Sequence, residues 1–124
     1  MNTIAEKITD SELEVMQVLW EAEDALPLTE IRQTLQNRKG WESTTIKTLV
    51  QRLCTKGAVQ QEKRKVFYYR PLIGAEEYNR WATGNLIHKL YRGSAKRLVA
   101  ALVDSDGLTE EDLEELRAMF RVEE

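Results

Sequence analysis

Thr44, Lys47, Thr48, Gln51 and Arg52 form the one group of polar side chains in this sequence spaced to act together on a ligand. Placed on a helix at about 100° per residue, the stretch from Ser43 to Lys56 separates into two faces. Ile46, Leu49, Val50 and Leu53 cluster on one of them. Thr44, Thr48, Gln51 and Thr55 fall opposite, flanked by Lys47 and Arg52, with no acid between them. Hydroxyls that donate or accept, Thr methyl groups and cations are what base edges, thymine methyls and phosphates require. The helix start at Ser43, Thr44 and Thr45 offers unpaired N–H groups to an anion. A merely solvated face would mix Glu with Lys, and this one does not. Trp41, just before the helix, either packs beneath it or turns its indole N–H to a phosphate. Lys63, Arg64 and Lys65 form a second cationic cluster, expected to grip phosphates from a turn.

Other chemistry has little material. His88 and Cys54 are the sole histidine and cysteine. A Cys–His dyad would need them together, yet one lies at the core edge of the third helix and the other far along the chain. Neither metal-ligand spacing nor a glycine-rich phosphate loop is present, so no enzyme, metal or cofactor is expected. A lone cysteine suits a reducing compartment, no apolar run of membrane length occurs, and the polar stretch Met1 to Lys7 lacks a signal core. The expectation is a cytoplasmic protein.

The net charge of −3 hides a strong asymmetry. Residues 1–31 hold one Lys and eight acids, whereas residues 38–70 hold nine bases against Glu42 and Glu62. Residues 80–97 are basic and residues 104–124 acidic again. A basic block inside an acidic chain is the footprint of a nucleic-acid face.

The elements that must hold these residues follow from caps and periodicity. Thr9 and Glu12 form a capping box ahead of Leu13, Met16, Leu19 and Trp20. Pro27 and Thr29 open a second helix with Leu28, Ile31 and Leu35 inward, ended by the turn from Asn37 to Gly40. The third helix runs from Ser43, as N-cap, to Gly57. Ala58 to Glu62 and Val66 to Arg70 read as strands joined by the turn Lys63-Arg64-Lys65, with Pro71 as terminator. Three helices and a β-hairpin predict a mostly α protein with a winged helix-turn-helix, its third helix entering the major groove. That domain is expected over residues 1–73. Residues 74–124 are expected to be helical, with Ser94 and Thr109 as caps. Their apolar stripes, with Tyr78, Trp81, Leu86, Leu90, Leu98, Leu102 and Leu113 at the interface, call for a second copy of the chain.

The residues themselves resemble a family. Ile8 to Met16, the run Trp41 to Leu53 with Lys56-Gly57-Ala58, the hairpin Val66 to Pro71, and Tyr91-Arg92-Gly93-Ser94 are similar to the BlaI/MecI/CopY family of bacterial repressors. The likeness covers nearly the whole chain. It departs at the wing, a residue shorter than usual, and at Glu42, where the family usually has Ser. The resemblance implies a homodimeric repressor of antibiotic-resistance or stress genes, bound to double-stranded operator DNA at inverted TACA and TGTA half-sites. It also implies a membrane sensor protease as partner, with Ala101–Leu102 matching the cleaved bond by position, although the family's residue pair is not kept. The copper branch uses paired C-terminal Cys motifs, which have no counterpart here. Two alternatives stand beside this reading: a copper-responsive repressor without that motif, and a winged helix that binds protein rather than DNA.

Overall fold

The computed structural model describes residues 3–120; Met1, Asn2 and the terminal run from Arg121 to Glu124 lie outside them. Its elements are α1 (Ile4–Lys7), α2 (Asp10–Glu21), β1 (Leu26–Pro27), α3 (Leu28–Lys39), α4 (Ser43–Thr55), β2 (Val59–Lys63), β3 (Phe67–Pro71), α5 (Ala75–Tyr91), α6 (Ala95–Asp104) and α7 (Glu110–Met119). The chain divides into two compact units at Ala82/Thr83.

The first unit is a winged helix. Val15, Met16, Val18 and Leu19 of α2, Ile31 and Leu35 of α3, and Ile46, Leu49, Val50 and Leu53 of α4 make one buried core. The sheet has the order β1-β3-β2, all antiparallel. α3 continues through Lys39, past the earlier stop expected from the polar run Asn37 to Gly40, and ends where Gly40 takes a left-handed φ of 70°. α4 ends in a Schellman motif. Gly57 sits at φ 81°, its N–H donates to the Cys54 carbonyl at 3.1 Å, and the Ala58 N–H donates to Leu53 at 2.9 Å.

Four expectations are corrected. The N-cap of α4 is Glu42, with no side-chain cap bond, and Ser43 is the first helical residue. Lys63 belongs to β2 opposite Phe67, and Val66 belongs to the turn, because the hairpin register places Gln61 against Tyr69. Tyr78 is only 8% exposed and packs in the winged-helix core, its ring 5.7 Å from Trp20 and 5.8 Å from Trp81. Trp81 and Ala82 are half-buried against the same core. Neither aromatic is therefore free for a second chain in the way Leu86 or Leu90 is. The winged-helix unit consequently extends past residue 73, to Ala82: Trp20 Nε1 donates to the Ile73 carbonyl at 2.9 Å, and the same ring lies against Tyr78 in the first turn of α5.

The charged interior is equally specific. Glu12 is fully buried. Its Oε1 accepts from the Thr9 N–H at 2.9 Å, completing the capping box, and from Lys56 Nζ at 2.6 Å. Lys56 also donates to the Lys7 carbonyl at 2.8 Å. Burial pushes the Glu12 carboxyl up, but the bonds from Lys56 and Thr9 and the lysine's charge outweigh it and leave the carboxyl below its ordinary value.

The second unit holds the remainder of α5 with α6 and α7. Ser94 caps α6 by accepting from the Arg97 N–H, and Thr109 with Asp112 forms a capping box on α7. No residue of α6 or α7 is buried.

Glu12→Ala should cost about 3 kcal/mol at neutral pH, the low end for breaking a buried pair because Lys56 keeps part of its side chain in water. A carboxyl depressed on folding stabilises above its unfolded pKa and loses that contribution as pH falls through the folded value. Denaturant titrations of wild type and Glu12→Gln should therefore show a gap at pH 7 that closes at acid pH. A gap of constant size would mean that the carboxylate charge does not stabilise the fold.

Candidate nucleic-acid interface

α4 presents its polar face as its wheel requires. Thr44, Thr45, Lys47, Thr48, Gln51 and Arg52 are all exposed, while the opposite face is core. Thr48 Oγ1 donates to the Thr44 carbonyl at 2.9 Å, so its hydroxyl proton is already used and its methyl and lone pairs are what remain. Ser43 accepts from Gln36 Nε2 at 3.0 Å, which ties the start of α4 to α3. Trp41 is half-buried against the core, with Lys39 Nζ 5.9 Å from its ring centroid. It supports the helix start from beneath.

The hairpin sorts its side chains by alternation. Gln61, Lys63, Phe67 and Tyr69 share one face, because Gln61 pairs with Tyr69 and Lys63 with Phe67. Gln60, Glu62, Tyr68 and Arg70 share the other. On that second face Glu62 pairs with Arg70 at 2.9 Å and with Arg64 at 3.2 Å. Arg70 also donates twice to Gln60, and the Arg64 guanidinium lies 4.3 Å from the centre of the Tyr68 ring. Arg64 is turned back onto the wing. Lys63 and Lys65 are not.

The ion pairs reshape the basic block. Of its nine bases, five are engaged: Arg38 with Glu21, Lys39 with Glu14, Lys56 with Glu12, and Arg64 and Arg70 with Glu62. The other four, Lys47, Arg52, Lys63 and Lys65, have no ion-pair partner among the described residues. Those four lie on the outer side of α4 or on the wing. The surplus cation charge is therefore concentrated where the polar face is.

Over residues 8–121 the sequence matches the penicillinase repressor family. The chain belongs to this family. It is 33% identical over 112 residues to the methicillin resistance regulatory protein MecI of Staphylococcus aureus (strain N315), spanning 90% of each chain. It is 32% identical over 111 residues to the penicillinase repressor of Bacillus licheniformis, spanning 89% of this chain and 86% of that one. The fold matches the solution structure of Bacillus licheniformis BlaI, a monomeric form in complex with the blaP half-operator. That match has a TM-score of 0.54 and 37% identity, and covers 63% of this chain and 94% of the other.

A family of repressors is not a family of enzymes, and Cys54 agrees: burial pushes its thiol up, the opposite of nucleophile activation. His88 is exposed on α5. The Ala101–Leu102 bond lies within helical α6, whereas proteolysis concentrates at exposed loop tips, so a cut there requires α6 to unwind first. Sequence reasoning missed Arg32, a half-buried base on α3 with no ion-pair partner among the described residues. Its signal was weak: it follows Ile31 directly, at the edge of the apolar stripe.

Proposed function

We propose that this member of the penicillinase repressor family is a homodimeric, sequence-specific repressor that reads an inverted-repeat operator in double-stranded DNA. The observation that carries the reading is the acid-free outer face of α4, with the unpaired cations of the chain's basic block gathered on it and on the adjoining wing. A solvated face has no reason to exclude acids while the other bases of the same block are paired. In this reading α4 enters the major groove with Thr44, Lys47, Thr48 and Gln51 toward base edges. Ser43, Thr45, Arg52, Lys63 and Lys65 face phosphates, and Trp41 holds the helix start in place. The half-sites are those implied by the family resemblance, TACA and TGTA. MecI and the penicillinase repressor, as relatives, favour antibiotic-resistance genes as the target.

The second copy is called for by the second unit. Leu86, Leu90, Val99, Leu102, Val103 and Phe120 are all exposed, and Leu90 and Phe120 are 65% and 73% open. Leu98 and Leu113 are half-buried beside them. Helices of this kind, with apolar faces open along α5, α6 and α7, match an isologous contact between two copies. Two linked winged helices bind two half-sites with the avidity that one lacks.

Three outcomes test this. Lys47→Ala or Thr48→Ala should cost about 1–3 kcal/mol on a palindromic duplex and loosen its sequence preference. Unchanged footprints for both would remove α4 from the groove. Lys63→Ala and Lys65→Ala should each flatten the dependence of log affinity on log salt by about 0.9, while Arg64→Ala, whose charge Glu62 already holds, should change it less. An equal response of all three would mean that Arg64 leaves the wing to reach DNA. The full chain should sediment as a dimer at micromolar concentration, and a chain ending at Ala82 as a folded monomer. A chain ending at Pro71 should be less stable by about 3–5 kcal/mol, the cost of deleting a buried aromatic such as Tyr78. A monomeric full-length protein would overturn the assembly.

A further inference from the structure

Between the start of α3, the outer flank of α4 and the near face of the wing lies a groove of about 370 Å³. Its polar lining includes Arg32, Lys47, Gln51 and Gln61, and its apolar wall includes Leu28 and Phe67. No acid lines it. The short strand β1 builds it: pairing of Leu26 with Tyr69 and Pro27 with Tyr68 pins the first turn of α3 beside the hairpin. Arg32, one turn on from Leu28, thereby comes to the same groove as Lys47 and Gln51, themselves one turn apart on α4.

Three features distinguish the groove from an ordinary surface recess. The hairpin's only acid, Glu62, and both wing arginines it holds lie on the opposite face of the strands from Gln61 and Phe67. The cations in the groove, Arg32 and Lys47, have no ion-pair partner among the described residues. Phe67 and Val66 at its wing side remain 46% and 58% exposed. The groove thus offers the Arg32 guanidinium to an anion, beside the base-reading flank of α4 and next to an open apolar wall suited to the face of a sugar.

We propose that this groove seats the sugar–phosphate strand that separates the major groove from the minor groove, with Arg32 on a phosphate and Phe67 against the adjoining deoxyribose. The inference rests on the DNA-reading face proposed above. A helix in the major groove and a wing beyond it must straddle one backbone strand. The groove is the space between those two elements. Arg32 and Phe67 then act on position and affinity rather than on base choice, because contacts to backbone carry no sequence information directly.

Full-length protein titrated with a duplex bearing TACA and TGTA half-sites, and with a random duplex of equal length, tests this over a range of salt. Arg32→Gln should lower the slope of log affinity against log salt by about 0.9 on both duplexes, and Arg32→Lys should restore it. Phe67→Ser should weaken both complexes and leave the slope unchanged. A scan of neutral methylphosphonates along one strand of the specific duplex should find a position that weakens wild type but not Arg32→Gln. An unaltered slope in Arg32→Gln, or a scan that affects both proteins alike at every position, would overturn the groove assignment and leave the DNA reading intact. A wild type whose affinity for either duplex ignores salt would overturn the reading beneath it.

Discussion

The pair between Glu12 and Lys56 is the constraint on which the rest of the winged helix turns. Glu12 caps its own helix and, through the same oxygen, takes the ammonium that follows the last turn of α4. Both bonds fall on Oε1 while Oε2 is buried without a hydrogen-bond partner among the described residues, so Lys56 and the capping bond must offset that desolvation cost. The next residue, Gly57, starts the left-handed turn that sends the chain into β2. The charge pair therefore ties the end of α4 to the start of α2 at the point where Gly57 turns the chain into the wing. Replacing it by apolar residues of similar size could preserve stability, but would give up that tie between the two helices.

Charge on this protein is sorted rather than merely abundant. The acids of α2 hold Arg38, Lys39 and Lys56 from behind, and Glu62 holds two arginines on the far side of the wing. Apart from the buried Glu12–Lys56 pair, these exposed pairs contribute little to stability. Their consequence is spatial. They quench positive charge where it would compete with the α4 face and leave it where α4, the wing and Arg32 converge. A net charge of −3 is then compatible with a cationic interface, since a field is set by local arrangement and not by the sum.

Much of this was legible in the sequence because it rests on local rules. The capping boxes at Thr9 and Thr109, the cap at Ser94, the two faces of α4 and Gly57 as its stop all follow from spacing alone. What escaped was set by partners distant along the chain. β1 has two residues and exists because β3 is beside it, and α1 is a single turn closed by Thr3. The hairpin slipped by one position between expectation and structure because no glycine marks the turn, so cross-strand register decides it. Tyr78 and Trp81 carry the same apolar signature as the residues after them, and only Trp20, more than fifty positions earlier, distinguishes core from open face. The pairing of Arg64, in the turn, with Glu62 on β2 is likewise invisible until Tyr68 and Arg70 are placed opposite.

The two units differ in what their stability depends on. The winged helix closes its core within its own residues, with α5 contributing Tyr78 as the last buried side chain. α6 and α7 have no fully buried residue, so their caps can start helices but do little to hold them, since short helices draw most of their stability from packing. In an isolated chain that segment should be the first to open. Under the dimeric reading, association supplies the missing packing by mass action, and the order of the second unit becomes linked to protein concentration. Anything that prises α6 from its partner then lowers operator affinity without touching α4, because the loss is of avidity and not of contacts. On that reading the α4 face would stay rigid while association acts through the second unit.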